Sequence, residues 1–430
     1  MKKIRVVRKG KFNISDVLEK IRFSEKELSE VKEKVDNFRA RLEKNLNGKA
    51  EIFIGGSYAK GTMMKKNQVD IDIFVIFSEN EKISEKLKSV LKKMKVKFSE
   101  VHGSRDYYQI REDKIIYEIV PIFKINQASE AKNITDISPL HVQWLLGNLN
   151  KKKNLGKEIM LAKSFCYGTN CYGAESYISG FSGYALEVLV VHYGTFSNFL
   201  KQAIKWKSIK NKKIIIDPEK YYKTEKEILA SLNESKIFGP LILIDPVQKE
   251  RNVCAALSEE TLTGFIENAK KFLKKPSEEF FYKKPINTEN LKKKGELFML
   301  EVGSNKDKID IVGAKLKKFF NFLEYFSEKE GFNVIRKEIE FNENTKEAIF
   351  YFVIKPLDEI LVKGPPVKIE QKYVEAFKKK WPTAFEVKGK LFAKSKRRFN
   401  SFEDLIKFVK KDKVMKQMNI NSVEIIKEEN

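Results

Sequence analysis

The chain has 430 residues, more than one hydrophobic core usually organises, so two or three domains are expected. Its hydrophobic share of 42%, with 32 phenylalanines, suits well-packed cores, yet no apolar run reaches the roughly 20 residues of a membrane span, which excludes a helical membrane protein. A formal net charge of +25 from 84 Lys+Arg favours a polyanionic partner, nucleic acid first, although a lysine-rich solvated surface gives the same total.

The opening MKKIRVVRKGKF is basic but lacks the apolar stretch and small-residue cleavage site of a signal peptide, so it reads as mature chain. From Leu28 the apolar residues Leu28, Val31, Val35, Phe38 and Leu42 recur three and four apart, predicting a helix that Gly48 terminates. Residues 51–54 read as a short strand running into Gly55-Gly56-Ser57. Residues 69–77 then alternate cleanly: Val69, Ile71, Ile73, Val75 and Phe77 make one apolar face, so Asp70 and Asp72 share the other. A helix carrying Ile83, Leu87, Val90, Leu91 and Met94 follows, then strand-like segments at 107–110 and 115–122. The alternation predicts a mixed sheet covered by helices over 1–137.

From Ser138 the pattern turns mainly helical, broken by Gly180-Phe181-Ser182-Gly183-Tyr184, which predicts a central helical domain over 138–275. Within 276–430 a strand at 296–302, a helix through Val312, Leu316, Phe319, Phe320, Leu323 and Phe326, and strands near 332–341 and 347–355 predict an α+β module. After Gly364-Pro365-Pro366 come a helix over 368–381, the basic run Lys394 to Arg398, and a helix starting near Ser401. Cys166, Cys171 and Cys254 are too few and too dispersed for a disulfide framework. With His102, His141 and His192 the only histidines, no zinc site is expected, and reduced thiols make the cytoplasm the expected compartment.

Gly55-Gly56-Ser57 lies where missing Cβ atoms let a triphosphate approach backbone N–H groups and a helix end, with the Ser57 hydroxyl as a further donor. By itself such a turn more often only reverses the chain. Asp70 and Asp72, a few residues on, would repel each other as bare carboxylates, and a divalent cation resolves the conflict. Mg²⁺ takes hard oxygen ligands, and two such ions activate an attacking hydroxyl and stabilise a leaving pyrophosphate. A solvent-facing Asp-x-Asp on an edge strand is the alternative for the pair alone. Glu118, bracketed by Ile115-Ile116-Tyr117 and Ile119-Val120-Pro121, is the candidate third metal ligand; a structural pairing with lysine is its alternative.

Gly55-Gly56-Ser57-Tyr58-Ala59-Lys60-Gly61-Thr62 followed by Asp70-Ile71-Asp72-Ile73-Phe74 resembles the signature of the DNA polymerase β-like nucleotidyltransferase superfamily. Ser138-Pro139-Leu140-His141, Tyr172-Gly173-Ala174-Glu175, Gly180-Phe181-Ser182-Gly183-Tyr184, Asp245-Pro246-Val247 with Arg251-Asn252-Val253, and Gly364-Pro365-Pro366-Val367 narrow the resemblance to archaeal, class I CCA-adding enzymes, over nearly the whole chain. The resemblance implies an α+β multidomain protein with a polymerase β-like head, a helical central domain and a C-terminal α+β body and tail that binds RNA. It implies template-independent addition of C, C and A to the tRNA 3′ end from CTP and ATP, with two Mg²⁺ ions held by Asp70, Asp72 and Glu118.

Glu118 stands where family members usually carry aspartate, so its carboxylate reaches further by one methylene. The resemblance carries nucleotide contacts onto Gly56, Ser57, Lys60, Ser138, His141, Lys163, Tyr172 and Arg251. Lys60 replaces an arginine found in some members, a point charge in place of a fork. Lys163 suits a β- or γ-phosphate, and Arg251 suits the edge of the incoming base. Read without the family, His141 also fits local capping, Tyr172 a core aromatic, and Arg251 an ion pair between domains. Lys394, Lys396, Arg397 and Arg398 suit phosphates of the tRNA acceptor stem and TΨC region, with a solvated face as the alternative. A poly(A) polymerase-like or 2′-5′ oligoadenylate synthase-like transferase shares the turn and carboxylates, and a non-catalytic RNA-binding homologue is the third reading. The oligomeric state stays open, a homodimer among the options.

Overall fold

The computed structural model describes residues 12–66, 68–78, 82–103, 105–206, 213–305, 308–343 and 345–426. Of the basic opening read as mature chain, residues 1–11 lie outside this set. Two compact units emerge, Met1–Lys284 and Pro285–Asn430.

The first unit begins with helices α1 (Ile14–Ile21) and α2 (Glu25–Leu46). Ser24 and Glu27 form a capping box at the start of α2, and Asn47 ends it in the left-handed conformation, one residue before the expected glycine. Val31, Val35, Phe38, Leu42 and Leu46 are its buried stripe; Leu28, on that stripe by spacing, lies near the start of the helix, is 42% exposed and does not join the core.

Strand β1 (Glu51–Ile54), a single helical turn α3 (Gly56–Ala59), β2 (Val69–Phe77), α4 (Ile83–Lys93), β3 (Phe98–His102), β4 (Asp106–Glu112) and β5 (Ile115–Phe123) complete the sheet region. Its order is β1-β2-β5-β4-β3, with β2 and β5 parallel and the other pairings antiparallel. The odd residues of β2 face α2 and α4, with Ile71, Ile73 and Val75 excluded from water, each stabilising by roughly 1.5–3 kcal/mol. The even face holds Asp70 and Asp72, and further along Phe74, packed with Val120 and Ile122. Apolar burial on one face thereby forces the two acids onto the other.

Arg105 and Asp136 form a buried ion pair that fastens the end of β5 to the chain entering the helical part. Arg105 Nη1 also donates to Pro121 O (3.0 Å), and Asp136 accepts from the N–H of Phe123 (3.0 Å) and Asn133 (2.9 Å). Helices α5 (Ser138–Lys151), α6 (Leu155–Gly168), α7 (Gly183–Tyr193) and α8 (Phe196–Ala203) follow. Next come β6 (Ile214–Ile216), short α9 (Glu225–Ser231) and α10 (Glu234–Ile237), β7 (Leu241–Leu243) parallel to β6, and α11 (Glu259–Lys274). Phe165, Phe181, Phe199 and Phe265 fill the core of this part, where Cys166, Cys171 and Cys254 are also buried.

The second unit holds α12 (Thr288–Lys292), β8 (Glu296–Ser304), α13 (Ile309–Lys329), β9 (Phe332–Asn342), β10 (Glu347–Pro356), β11 (Glu359–Pro366), α14 (Gln371–Lys380), β12 (Phe385–Val387), β13 (Lys390–Lys396), α15 (Phe402–Lys411), α16 (Lys413–Gln417) and β14 (Ile420–Ile426). A sheet in the order β14-β8-β10-β9 packs its phenylalanines against α13 and α15, and a smaller sheet runs β11-β13-β12. Gly364-Pro365-Pro366, read from sequence as punctuation, closes β11 instead; as an edge strand it tolerates proline. No helix among the described residues is long and apolar enough to cross a membrane.

Candidate active site

The turn and the acids meet directly. The N–H of Gly55 donates to Asp72 O (2.8 Å), which sets the turn beside β2. Gly56 has φ +62, and a Cβ there would lie 1.6 Å from Asp72 Oδ2; at Gly55 it would lie 2.4 Å from the Phe74 ring. Both glycines are therefore demanded by what stands against them, and the backbone of the turn reaches the Asp72 carboxylate because no side chain intervenes. Opposite Asp72 in the parallel register stands Glu118, which accepts from Gln109 Nε2 (2.7 Å).

Three acids on one face disturb one another. Burial raises the Asp72 carboxyl above the ordinary aspartate value, Asp70 adds to the rise, and the Lys60 ammonium opposes it. Burial, then Asp72, push Glu118 up to about 7. Such a face favours a hard divalent cation, and the oxygen donors of Asp70 and Asp72 suit one. No group of three His, Cys, Asp or Glu side chains among the described residues converges closely enough to hold an ion. Gln109 takes one oxygen of Glu118, and the other is the one it would use as a third ligand.

Beside the acids is a small recess of about 40 Å³, lined among others by Ser57, Thr62, Lys66, Asp70, Lys163 and Tyr172. The segments around Tyr172 and Phe181 pair as a parallel bridge, with Gly173 N donating to Phe181 O (2.8 Å) and Phe181 N to Cys171 O (2.8 Å). A Cβ at Gly180 would strike Cys171 O at 2.4 Å, so the two glycine-containing segments zip together and set Tyr172 at the recess. Ser182 caps α7 through the Ala185 N–H (3.0 Å). Lys66 Nζ lies 5.3 Å from the Tyr172 ring centre and 5.5 Å from that of Tyr167.

Lys60 and Lys163 share one carboxylate. Lys60 Nζ donates to Glu187 Oε2 (2.7 Å), and Lys163 Nζ donates to Glu187 Oε1 (2.7 Å) and to Thr62 Oγ1 (3.0 Å). Burial lowers the Lys163 ammonium below the usual lysine value. Burial alone would raise Glu187, but Lys163 and Lys60 outweigh it and hold the carboxyl below the usual glutamate value.

Arg251 and His141 converge elsewhere, on Asp245. Arg251 Nη1 donates to Asp245 Oδ2 (2.7 Å), His141 Nε2 lies 2.9 Å from the same oxygen, and Tyr184 OH donates to Oδ1 (3.0 Å). Burial opposes ionisation of Asp245, yet the His141 hydrogen bond and the Arg251 charge hold its carboxyl at about 2. The ion pair of Arg251 is thus within its own unit. Arg251 also lines a cleft of about 510 Å³ with Lys132, Ser182, Lys236, Gln248 and Asn252. Ser138 opens α5, one turn before His141, and neither lines the recess.

In the second unit the basic run does not present one strip. Lys394 and Lys396 share the exposed face of β13, where Lys394 is paired with Glu359 (3.0 Å). Arg397 leans on the Phe332 ring (5.0 Å), and Arg398 on Phe408 (4.4 Å).

Glu187 and Asp245 were not among the site residues expected from sequence. Each had a signal: Glu187 is the lone acid in the apolar run 184–191, and Asp245 ends the apolar run 241–244. An acid so placed is buried and needs partners.

A family profile described as tRNA nucleotidyltransferase, second domain, matches residues 157–282, and one described as Second Messenger Oligonucleotide or Dinucleotide Synthetase domain matches 11–153. The CCA-adding enzyme of Nanoarchaeum equitans is 38% identical over 334 residues, which cover 76% of this chain and 80% of that protein. Those of Methanocaldococcus jannaschii and Methanococcus maripaludis are 30% and 31% identical, covering 92% and 86% of this chain and 89% and 84% of their own. A solved cytoplasmic RNA terminal U-transferase superposes on 63% of this chain and 98% of its own with a TM-score of 0.49 at 17% identity.

Proposed function

Because the chain belongs to the CCA-adding enzymes, nucleotidyltransferases of tRNA, we propose that Asp70 and Asp72 are the carboxylates around which each nucleotide joins the tRNA 3′ end. The observation that carries this reading is the contact between the Gly55-Gly56-Ser57 turn and the acid face, where Gly56 gives way to the Asp72 carboxylate.

In this reading CTP and ATP are the donors. Ser57, Lys60, Lys163 and Tyr172 bind the triphosphate at the recess, Lys60 being tied to Lys163 through Glu187. Arg251, fixed by Asp245 and stacked beside Tyr184 with His141, orients the base with guanidinium donors that suit both C and A. The terminal tRNA hydroxyl attacks the α-phosphorus in line; the new P–O bond forms as the bond to the β-phosphate oxygen breaks, and pyrophosphate leaves with its charge met by the lysines. Asp70 and Asp72 would hold Mg²⁺, two ions if Glu118 turns toward them as a third ligand, and the metal would supply neutralisation of phosphate charge and ease loss of the hydroxyl proton to solvent. Residues 1–137 form the catalytic head, 138–275 complete the nucleotide pocket, and 276–430 hold the acceptor stem and TΨC region, with Lys396 and Lys394 toward phosphates.

The test uses tRNA lacking its CCA end. With labelled CTP alone, two additions are expected and then arrest; with ATP also present, one A completes the end. A poly(A) polymerase-like activity would ignore CTP and continue past one A, and no incorporation with either Mg²⁺ or Mn²⁺ would mark a non-catalytic RNA binder.

A further inference from the structure

The buried trio Lys60, Lys163 and Glu187 is costly as pure structure. Their side chains are 9%, 3% and 1% exposed, and a carboxylate with two ammonium groups taken out of water rarely stabilises a fold as well as apolar packing of the same volume. The trio also joins distant parts of the chain: Lys60 and Thr62 follow the glycine turn, Lys163 lies on α6, and Glu187 on α7. With all three ionised the trio carries one net positive charge, beside a recess that Lys163 lines and the acid face borders.

We propose that Glu187 is a positioning residue for the nucleotide triphosphate, a buried carboxylate that fixes Lys60 and Lys163 as one charged unit. This rests on the reading that the recess binds the triphosphate. Without a carboxylate between them, the two ammonium groups would repel and move apart. With it, the Lys163 ammonium is oriented by two bonds, one to Glu187 and one to Thr62, and its third N–H remains for a phosphate oxygen. Gly183 leaves the space this needs: a Cβ there would lie 3.0 Å from Tyr172 OH and 3.7 Å from Lys163 Cε. The arrangement makes a point charge behave as an aimed donor, which lysine alone does not provide.

The experiment measures binding of CTP and of CMP to the full chain, together with KM for CTP and for tRNA, in Glu187→Gln, Thr62→Val and Lys163→Ala. Glu187→Gln keeps shape and removes charge; CTP affinity should fall about tenfold, carried in KM for CTP, with CMP affinity and KM for tRNA within about twofold of wild type. A merely structural role would weaken CTP and CMP alike, and that result overturns the proposal. If Glu187→Gln does not fold, Thr62→Val decides: a selective loss of CTP affinity of about threefold supports the proposal, and unchanged CTP affinity overturns it. Normal CTP binding by Glu187→Gln beside impaired binding by Lys163→Ala overturns Glu187 alone, whereas normal binding by Lys163→Ala overturns the reading of the recess and Glu187 with it.

Discussion

Replacing Glu118 by glutamine should make the metal-free protein more stable at alkaline pH while weakening nucleotide transfer. Glu118 stands opposite Asp72 in the parallel register, and burial, then Asp72, raise its carboxyl from 4.5 to about 7. An acid raised in the folded state leaves stability untouched below its unfolded value and lowers it as pH rises toward the folded one. A displacement of about 2.5, at about 1.36 kcal/mol per unit, costs the folded state ~3 kcal/mol once pH exceeds the folded value by about one. The amide that Glu118→Gln introduces keeps an acceptor for Gln109 Nε2, so the hydrogen bond at that position survives the change. Urea denaturation in EDTA at about pH 4 and about pH 8 reads the difference between variant and wild type. The two should agree within about 0.5 kcal/mol at the lower pH and differ by ~3 kcal/mol, variant more stable, at the higher. Adding Mg²⁺ at the higher pH should narrow the gap by stabilising wild type more. A variant offset by the same amount at both pH values, or less stable at the higher, refutes the reasoning.

Gly56→Ala should lower incorporation by roughly tenfold or more, since its Cβ would occupy the position of Asp72 Oδ2 and an L-residue at φ +62 adds about 1 kcal/mol of strain; steady-state kinetics and a melting curve check both. Asp245→Asn should release Arg251 and His141, raising KM for CTP and ATP and costing roughly 2–3 kcal/mol of stability, read by denaturant titration. Lys396→Ala should reduce the salt-dependence slope of tRNA binding by about one, and Lys394→Ala by less because Glu359 already neutralises that side chain; filter binding across a salt series separates them.

Strand β2 was legible residue by residue because the alternation of Val69 to Phe77 is strict and one face is wholly buried, which left Asp70 and Asp72 no other place. The glycine turn was legible as a motif, but only the structure gives its reason, the Asp72 carboxylate standing where a Cβ would be. Strand β3 escaped notice since Phe98 to His102 is half-exposed and mixed in character, and its partner β4 defines it. Pairings across more than 100 residues, such as Lys60 with Glu187 and His141 with Asp245, leave no periodic trace in sequence. The basic run near residue 396 looked uniform in composition, yet strand geometry and the Phe332 and Phe408 rings divide it.

The most direct measurement compares wild type with Asp70→Asn and Asp72→Asn on tRNA lacking its CCA end, following labelled CTP and ATP incorporation and tRNA binding in the same samples. Both variants should bind tRNA as wild type does and incorporate no nucleotide above background. Near-wild-type incorporation by either variant would contradict the assignment of the acid face as the centre of nucleotidyl transfer.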